Sequence, residues 1–322
     1  MTNPLVSVLI ACYNHESFIE QALDSIAAQD FTDFELIITD DASTDATVSV
    51  IQQWLQRTGF PAELIAHQTN VGTCGTRNEA LQKARGTFVC FLDADDWSEP
   101  HRLRLHTEAF DSFPDDVAMI VGEIREVTES GEPLRTRTIR QGPLSASAFL
   151  DDAFKELLDS NFVPFTGVML RRRCVNDVGG FDEELFLDDH DLWLRLSHKF
   201  RLARVGGVVA SYRVLSNSVS HSPKLSKEIW ISNVGSLRKW VGYSTLTDEI
   251  IARRLRILAL NIRTEGERSF VNDVFSLAHK IRPSPVWSLV RQFSRLSIAG
   301  AVFRFARALK RRGMMTWLGG SA

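Results

Sequence analysis

Phe88-Val89-Cys90-Phe91-Leu92-Asp93-Ala94-Asp95-Asp96 is an unbroken apolar run that ends in three carboxylates within four residues. Gly86 breaks the chain just before it, and its β-branched and aromatic content predicts a buried strand over Thr87–Leu92. Outward from this strand the same unit repeats. Leu5–Ala11, Phe34–Thr39 and Glu63–His67 read as strands, and helical spacing marks Glu16–Gln29, the stretch from Ser43-Thr44-Asp45 to about Arg57, and Gly72–Ala84. Four strands separated by three helices predict an α/β fold with a mainly parallel sheet flanked by helices. In such sheets ligands bind beyond the carboxyl ends of the strands. Here those ends carry Tyr13-Asn14, Asp40-Asp41, Asn70-Val71-Gly72 and Asp93–Asp96.

Beyond Pro100 the pattern loosens: a helix over Pro100–Phe113, a strand over Val117–Val127, a helix from Ser147, a buried strand over Phe165–Leu170 and a short helix over Asp188–Leu196. From Lys224 helices dominate. The expected organisation is an α/β domain over 1–222 and a helical C-terminal extension over 223–322.

The acidic strand ends admit two readings each. Three adjacent carboxylates repel one another unless a cation or hydrogen-bond donors offset the charge, and oxygen-only ligands suit Mg²⁺ or Mn²⁺ rather than zinc. Alternatively, Asp93–Asp96 is a solvated turn capping the helix after Pro100. Asp41 has the chemistry to accept a hydrogen bond from a uracil N3–H, or it caps a helix that Ser43 or Asp45 also serves. Tyr13 is placed to stack on a base, or belongs to the core.

Taken together, Val6-Ser7-Val8-Leu9-Ile10-Ala11-Cys12-Tyr13-Asn14, Asp40-Asp41-Ala42-Ser43-Thr44-Asp45, Asn70-Val71-Gly72 with Arg77-Asn78, Ala84-Arg85-Gly86 and the Asp93–Asp96 segment resemble the inverting GT-A (Rossmann-like) glycosyltransferases of family 2. The resemblance implies that Tyr13 and Asp41 hold a pyrimidine base beside the Ala11 backbone. It places Arg77 near the donor, Asp93 and Asp95 at the ribose and phosphates, and a Mg²⁺ or Mn²⁺ ion on Asp96. Gly179-Gly180-Phe181-Asp182-Glu183 followed by Asp188-Asp189-His190-Asp191-Leu192-Trp193-Leu194-Arg195-Leu196 is similar to the family's second signature. That match makes Asp189 the general base and sets Asp188 beside the acceptor, with Asp191 and Trp193 structural. One position departs: Leu215 stands where many members carry a His after Tyr-Arg-x. Ser216, Asn217, Ser218, His221 or Arg213 are the candidates to meet the phosphates instead.

The implied activity is transfer of a sugar from a UDP- or dTDP-sugar to a saccharide or lipid-linked saccharide acceptor in bacterial surface polysaccharide or lipopolysaccharide synthesis. Two alternatives stand beside it: a sugar-nucleotidyltransferase, and a catalytically silent nucleotide- or glycan-binding module. The chain has neither GxGxxG after its first strand nor GxxxxGK[ST], which disfavours dinucleotide and P-loop sites. Its acidic balance before Asp273 disfavours nucleic acid as a partner. The four cysteines are scattered and read as reduced core thiols.

The net charge of −3 divides unevenly, −12 up to Asp273 and +9 after it. Projected as a helix, Val302, Phe303, Phe305, Ala306 and Leu309 fall opposite Arg304, Arg307 and Arg311. This is a basic amphipathic segment, suited either to an anionic membrane interface or to packing with a solvated basic face. With no basic leader before Leu5–Cys12 and no apolar run near the roughly 20 residues of a membrane span, the expected location is the cytoplasm, with peripheral contact at the inner face of the membrane.

Overall fold

The computed structural model describes residues 3–137, 148–186, 189–215, 226–261 and 268–284. They fall into two compact units, the first within Met1–Phe154 and Phe162–Ser226 and the second within Lys155–Asn161 and Lys227–Ala322.

The first unit is built on one mixed sheet. Strands β1 (Val6–Cys12), β2 (Phe34–Asp40), β3 (Ala62–Ala66) and β4 (Phe88–Asp93) pair in parallel in the order β3-β2-β1-β4, joined through helices α1 (Ile19–Ala27), α2 (Thr47–Thr58) and α3 (Gly72–Lys83). Central β1 and β4 are almost wholly buried, whereas edge strand β3 is half-exposed. That is why the first two read as continuous apolar runs: both faces of a parallel strand are covered by helices. Trp54 of α2 fills the layer between helix and sheet, its indole Nε1 donating to Asp24 Oδ1 of α1 at 2.7 Å.

Beyond β4 come β5 (Trp97–Ser98), α4 (Arg102–Asp111), β6 (Val117–Val127), β7 (Pro133–Arg137), β8 (Ala148–Phe149) and α5 (Ala153–Asp159). The order continues with β9 (Val168–Arg171), α6 (Arg172–Asp177), α7 (Asp189–Lys199) and β10 (Arg201–Arg213). Strand β9 inserts antiparallel between β4 and β6, and β10 runs parallel to β6, so the sheet extends as β4-β9-β6-β10-β5. Arg102 locks this junction. Fully buried, it donates to Ser98 Oγ (2.9 Å), the Phe91 carbonyl (2.9 Å) and the Val168 carbonyl (3.2 Å).

Two expectations fail here. The helix expected from Ser147 begins at Ala153. Ala148 and Phe149 instead pair antiparallel with Arg204 and Ala203 of β10, and the chain turns into α5 at Asp152 with φ 55°. The buried strand expected over Phe165–Leu170 is a 3₁₀ turn over Phe165–Gly167, with the strand starting at Val168.

The second unit holds most of α5 (Lys155–Asp159) with α8 (Ser226–Arg238), α9 (Thr245–Asn261) and α10 (Arg268–Ile281); α9 and α10 pack on each other, and Leu255, Leu258, Val274 and Phe275 are buried. No described helix is long and apolar enough to cross a membrane. The amphipathic segment Val302–Arg312 lies outside the described residues, as do Asp188, Ser216, Asn217, Ser218 and His221.

Candidate active site at the carboxyl edge of the sheet

The ends of β1, β2 and β4 share one edge because their registers match: Ala11 pairs with Thr39 on one side and Asp93 on the other. Two loops interlock above β1. Asn14, in the left-handed region (φ 58°), donates its N–H to Ser43 Oγ at 2.9 Å and accepts from Thr44 N at 2.8 Å. Tyr13, beside this tie, is 45% exposed. An exposed aromatic over a strand end is free to stack, so the core reading of Tyr13 does not hold.

Asp41 is buried. Its Oδ1 accepts from Val71 N (2.8 Å) and its Oδ2 from Gly72 N (3.0 Å), so it caps the N-terminus of α3 in trans from β2. Asn70 Nδ2 donates to the Asp41 carbonyl at 3.1 Å. His67, the residue after β3, reaches Asp41 Oδ1 through Nδ1 (3.1 Å) and Glu79 Oε2 of α3 through Nε2 (2.7 Å). In the sequence His67 is only the last residue of the expected strand Glu63–His67, with no motif to mark it. The strand-end rule that picked out Asp41 and Asp93 selects it equally well.

At the end of β4, Asp93 Oδ1 receives Arg77 Nη2 at 2.6 Å, and the Arg77 guanidinium lies 3.8 Å above the Phe165 ring. Asp95 and Asp96 follow in a tight turn, Asp96 N donating to the Asp93 carbonyl at 3.0 Å. Asp96 is 1% exposed; its Oδ1 accepts from Arg213 N at 2.8 Å, while its buried Oδ2 makes no hydrogen bond of normal geometry among the described residues, although the buried Thr166 hydroxyl lies close enough to favour the charged carboxylate. Burial, reinforced by the charges of Asp95 and Asp93, pushes the Asp96 carboxyl well above the usual carboxylate range, and burial with Asp93 raises Asp95 as well. A buried carboxylate oxygen beside two more carboxylates fits a cation; a solvated capping turn would leave these groups in water. No three His, Cys, Asp or Glu side chains among the described residues converge as a ready metal cage. Mg²⁺ and Mn²⁺ sites that are completed by substrate phosphates need only one or two carboxylates.

Arg213 braces this turn rather than facing a diphosphate. It is buried, and its guanidinium donates to the Asp95 carbonyl (2.9 Å), Gln21 Oε1 (2.5 Å) and the Glu129 carbonyl, stacked between Phe18 and Trp97. Leu215 is buried.

Asp189 opens α7, its Oδ1 accepting from His190 N at 2.6 Å. Asp191 is fully buried and paired with Arg195 at 2.7 Å, and Arg195 also donates to the carbonyls of Val178 (2.6 Å) and Gly180 (2.7 Å). The second signature therefore fastens its own Gly-Gly turn to α7. Gly180 adopts φ 70°, and an added Cβ would lie 2.7 Å from Asn78 Oδ1. Asn78 in turn donates to the Phe181 carbonyl (2.9 Å) and Glu183 (2.7 Å) and accepts from Phe181 N (2.8 Å). Fully buried Trp193 packs 6.2 Å from Phe165, the ring beneath Arg77. Through these contacts α7 joins the edge that carries Asp93.

An α/β unit whose strand ends gather acids, an exposed aromatic and an arginine, with a second acidic helix start fastened beside it, is the GT-A fold of sugar-nucleotide-dependent transferases. The glycosyl transferase family 2 model matches residues 7–179, more than half of the chain, and the protein belongs to that family. TuaG of Bacillus subtilis, named for teichuronic acid biosynthesis, is 30% identical over 234 residues, 71% of this chain and 88% of its own length. Staphylococcus aureus TarS, a poly(ribitol-phosphate) β-N-acetylglucosaminyltransferase, is 35% identical over 130 residues, 39% of this chain and 22% of that protein. The crystal structure of TarS 1–349 with UDP-GlcNAc superposes with TM-score 0.68 at 19% identity, covering 96% of this chain and 92% of that one. The mannosyltransferase PcManGT of Pyrobaculum calidifontis, in complex with GDP-Man and Mn²⁺, gives TM-score 0.54 at 17% identity over 94% and 87% of the two chains. Several other curated relatives are longer, and the chain spans 28% to 61% of their length.

Proposed function

We propose that this glycosyltransferase moves a sugar, with inversion, from a UDP- or dTDP-sugar to a saccharide acceptor during bacterial surface-polysaccharide assembly. The observation that carries the reading is the buried Asp96 Oδ2 at the end of β4, without a hydrogen bond of normal geometry among the described residues and flanked by Asp93 and Asp95. In this reading Asp96 holds a Mg²⁺ or Mn²⁺ ion, which when bound offsets the charge of the departing diphosphate. The Mn²⁺ complex of PcManGT and the UDP-GlcNAc complex of TarS are consistent with such a donor edge. Tyr13 stacks on the base, the Ala11 backbone borders it, and Asp41 Oδ2 accepts the N3–H. Arg77 fixes Asp93 toward the ribose while Asp95 lines the phosphates.

Asp189 takes the proton of the acceptor hydroxyl as its oxygen attacks the anomeric carbon. The new C–O bond forms on the face opposite the breaking C1–O bond, and the nucleoside diphosphate departs with that electron pair. Asp188, which precedes this base in the sequence and lies outside the described residues, is assigned to the acceptor by the family resemblance. Names such as TuaG and TarS support a cell-wall or surface glycan as acceptor, and a lipid-linked saccharide would give the basic C-terminal segment a membrane role.

The test is a panel of UDP-, dTDP- and GDP-sugars, with and without Mn²⁺, scored by nucleoside diphosphate release in the wild type and in Asp189→Asn. Metal-dependent release from a pyrimidine-nucleotide sugar is expected. It should fall about 10²–10⁴-fold in Asp189→Asn with UDP binding kept. Binding of UDP without turnover of any donor by the wild type would favour a silent binding module.

A further inference from the structure

The imidazole of His67 sits between two carboxylates supplied by two different elements, Asp41 at the end of β2 and Glu79 on α3, at 3.1 and 2.7 Å. The His67 side chain is 10% exposed. A neutral ring has one N–H and satisfies one of these acceptors; bonding to both requires the imidazolium. Burial opposes that charge, but the hydrogen bonds to Asp41 and Glu79 outweigh it and hold the ring's pKa above its ordinary value. Asp41 and Glu79 are the charged groups that face the ring from β2 and α3. Lys83, a turn further along α3, faces Glu63 of β3 instead, at 4.0 Å.

Asp41 Oδ1 takes two donors, Val71 N and His67, whereas Oδ2 takes only Gly72 N. A carboxylate oxygen has two acceptor directions. We propose that His67, as an imidazolium clamped between Asp41 and Glu79, is the positioning residue of the nucleobase subsite: it fills Oδ1 and holds Asp41 so that Oδ2 keeps one direction open for the N3–H of a pyrimidine. The proposal rests on the nucleobase role given to Asp41 above. Loss of the ring proton turns one of its nitrogens into a lone pair facing a carboxylate. That repulsion frees Asp41 to turn away, and nucleotide affinity falls while the chemistry at the sugar is untouched.

Titration calorimetry with UDP, and separately with inorganic pyrophosphate, from about pH 6 to about pH 8.5 tests this in wild type, His67→Gln, Glu79→Gln and Asp41→Asn. The ligands' own titration is common to all four proteins and cancels in the comparison. The wild type should lose about tenfold in UDP affinity across the range, the factor that one pKa unit of difference between the free and UDP-bound ring gives. His67→Gln should be weaker at the low end and flat, with pyrophosphate affinity as in wild type. Glu79→Gln, which leaves the ring one carboxylate, should move the loss to lower pH and serves if His67→Gln fails to fold. His67→Gln with wild-type affinity and pH dependence, while Asp41→Asn is weakened, overturns the proposal and leaves the nucleobase reading standing. Equal weakening of UDP and pyrophosphate reduces His67 to a structural part and also overturns it. Asp41→Asn binding UDP as tightly as wild type, or a wild type that binds no UDP, overturns the nucleobase reading together with the proposal.

Discussion

A carboxylate with 1% exposure and two acidic neighbours is held in place against its own electrostatics, and Asp96 is such a group. Its folded-state pKa lies above the unfolded one, so its contribution to stability is fully present below the ordinary carboxylate range. That contribution is lost as pH rises through the raised folded value. At neutral pH the metal-free protein therefore carries an unfavourable term that Asp96→Asn removes. The amide Oδ1 keeps the bond from Arg213 N. The expected outcome in EDTA is a melting temperature for Asp96→Asn a few degrees above wild type near pH 8, equivalent to about 1–3 kcal/mol. The gap should close toward pH 4. The same variant loses Mn²⁺-dependent donor turnover, so stability and activity move in opposite directions. A variant less stable than wild type at pH 8 would mean that Asp96 is compensated by something other than a bound cation.

At the scale of elements, α3 does most to organise the edge. Three successive residues point three ways at 100° steps: Arg77 to Asp93, Asn78 to the Phe181 turn, Glu79 to His67. One helix thus ties the ends of β2, β3 and β4 to the second signature. The parallel half of the sheet was legible because both faces of its strands are covered, so β1 and β4 appear as plain apolar runs with polar ends. Strand β10 was not legible although it is 13 residues long. Its alternation breaks at Gly206-Gly207, and its register against β6 shifts between Arg204 and Val208. The brace from Arg213 to Asp95 and Gln21 spans contacts 118 and 192 residues apart, which no local pattern encodes. Gly86 shows that a signature residue need not touch ligand. It lies at the opposite end of β4, where an added Cβ would fall 2.5 Å from Ser7 N and 2.7 Å from the Val6 carbonyl carbon. Both neighbours are backbone in the central strand and cannot swing aside. Gly86→Ala should cost about 3 kcal/mol or more, read as a lower denaturant midpoint. Near-wild-type stability would show that β1 yields more easily than a packed central strand should.

For the whole molecule the distribution of charge matters more than its sum. The stretch up to Asp273 is strongly acidic, and nine basic residues follow with no acid among them. Such a chain is drawn to an anionic surface by one end and repelled by the rest, which orients it on arrival. The second unit adds an apolar contribution: Val241 and Tyr243, in the turn after Arg238-Lys239, and Leu246, at the start of α9, are 37%, 58% and 50% exposed. Amphipathic aromatics beside basic residues suit a headgroup region. A chain truncated after Gly300 loses Arg304, Arg307, Lys310, Arg311 and Arg312, up to about 5 kcal/mol of surface attraction at about 1 kcal/mol per charge. In flotation, the full chain should rise with vesicles rich in anionic phospholipid and stay down with zwitterionic ones, and high salt should release it. The truncated chain should stay down in both. If both chains rise equally, the exposed turn rather than the tail is the membrane contact. If neither rises, the basic segment is a solvated face, and the acceptor must come to the enzyme from solution.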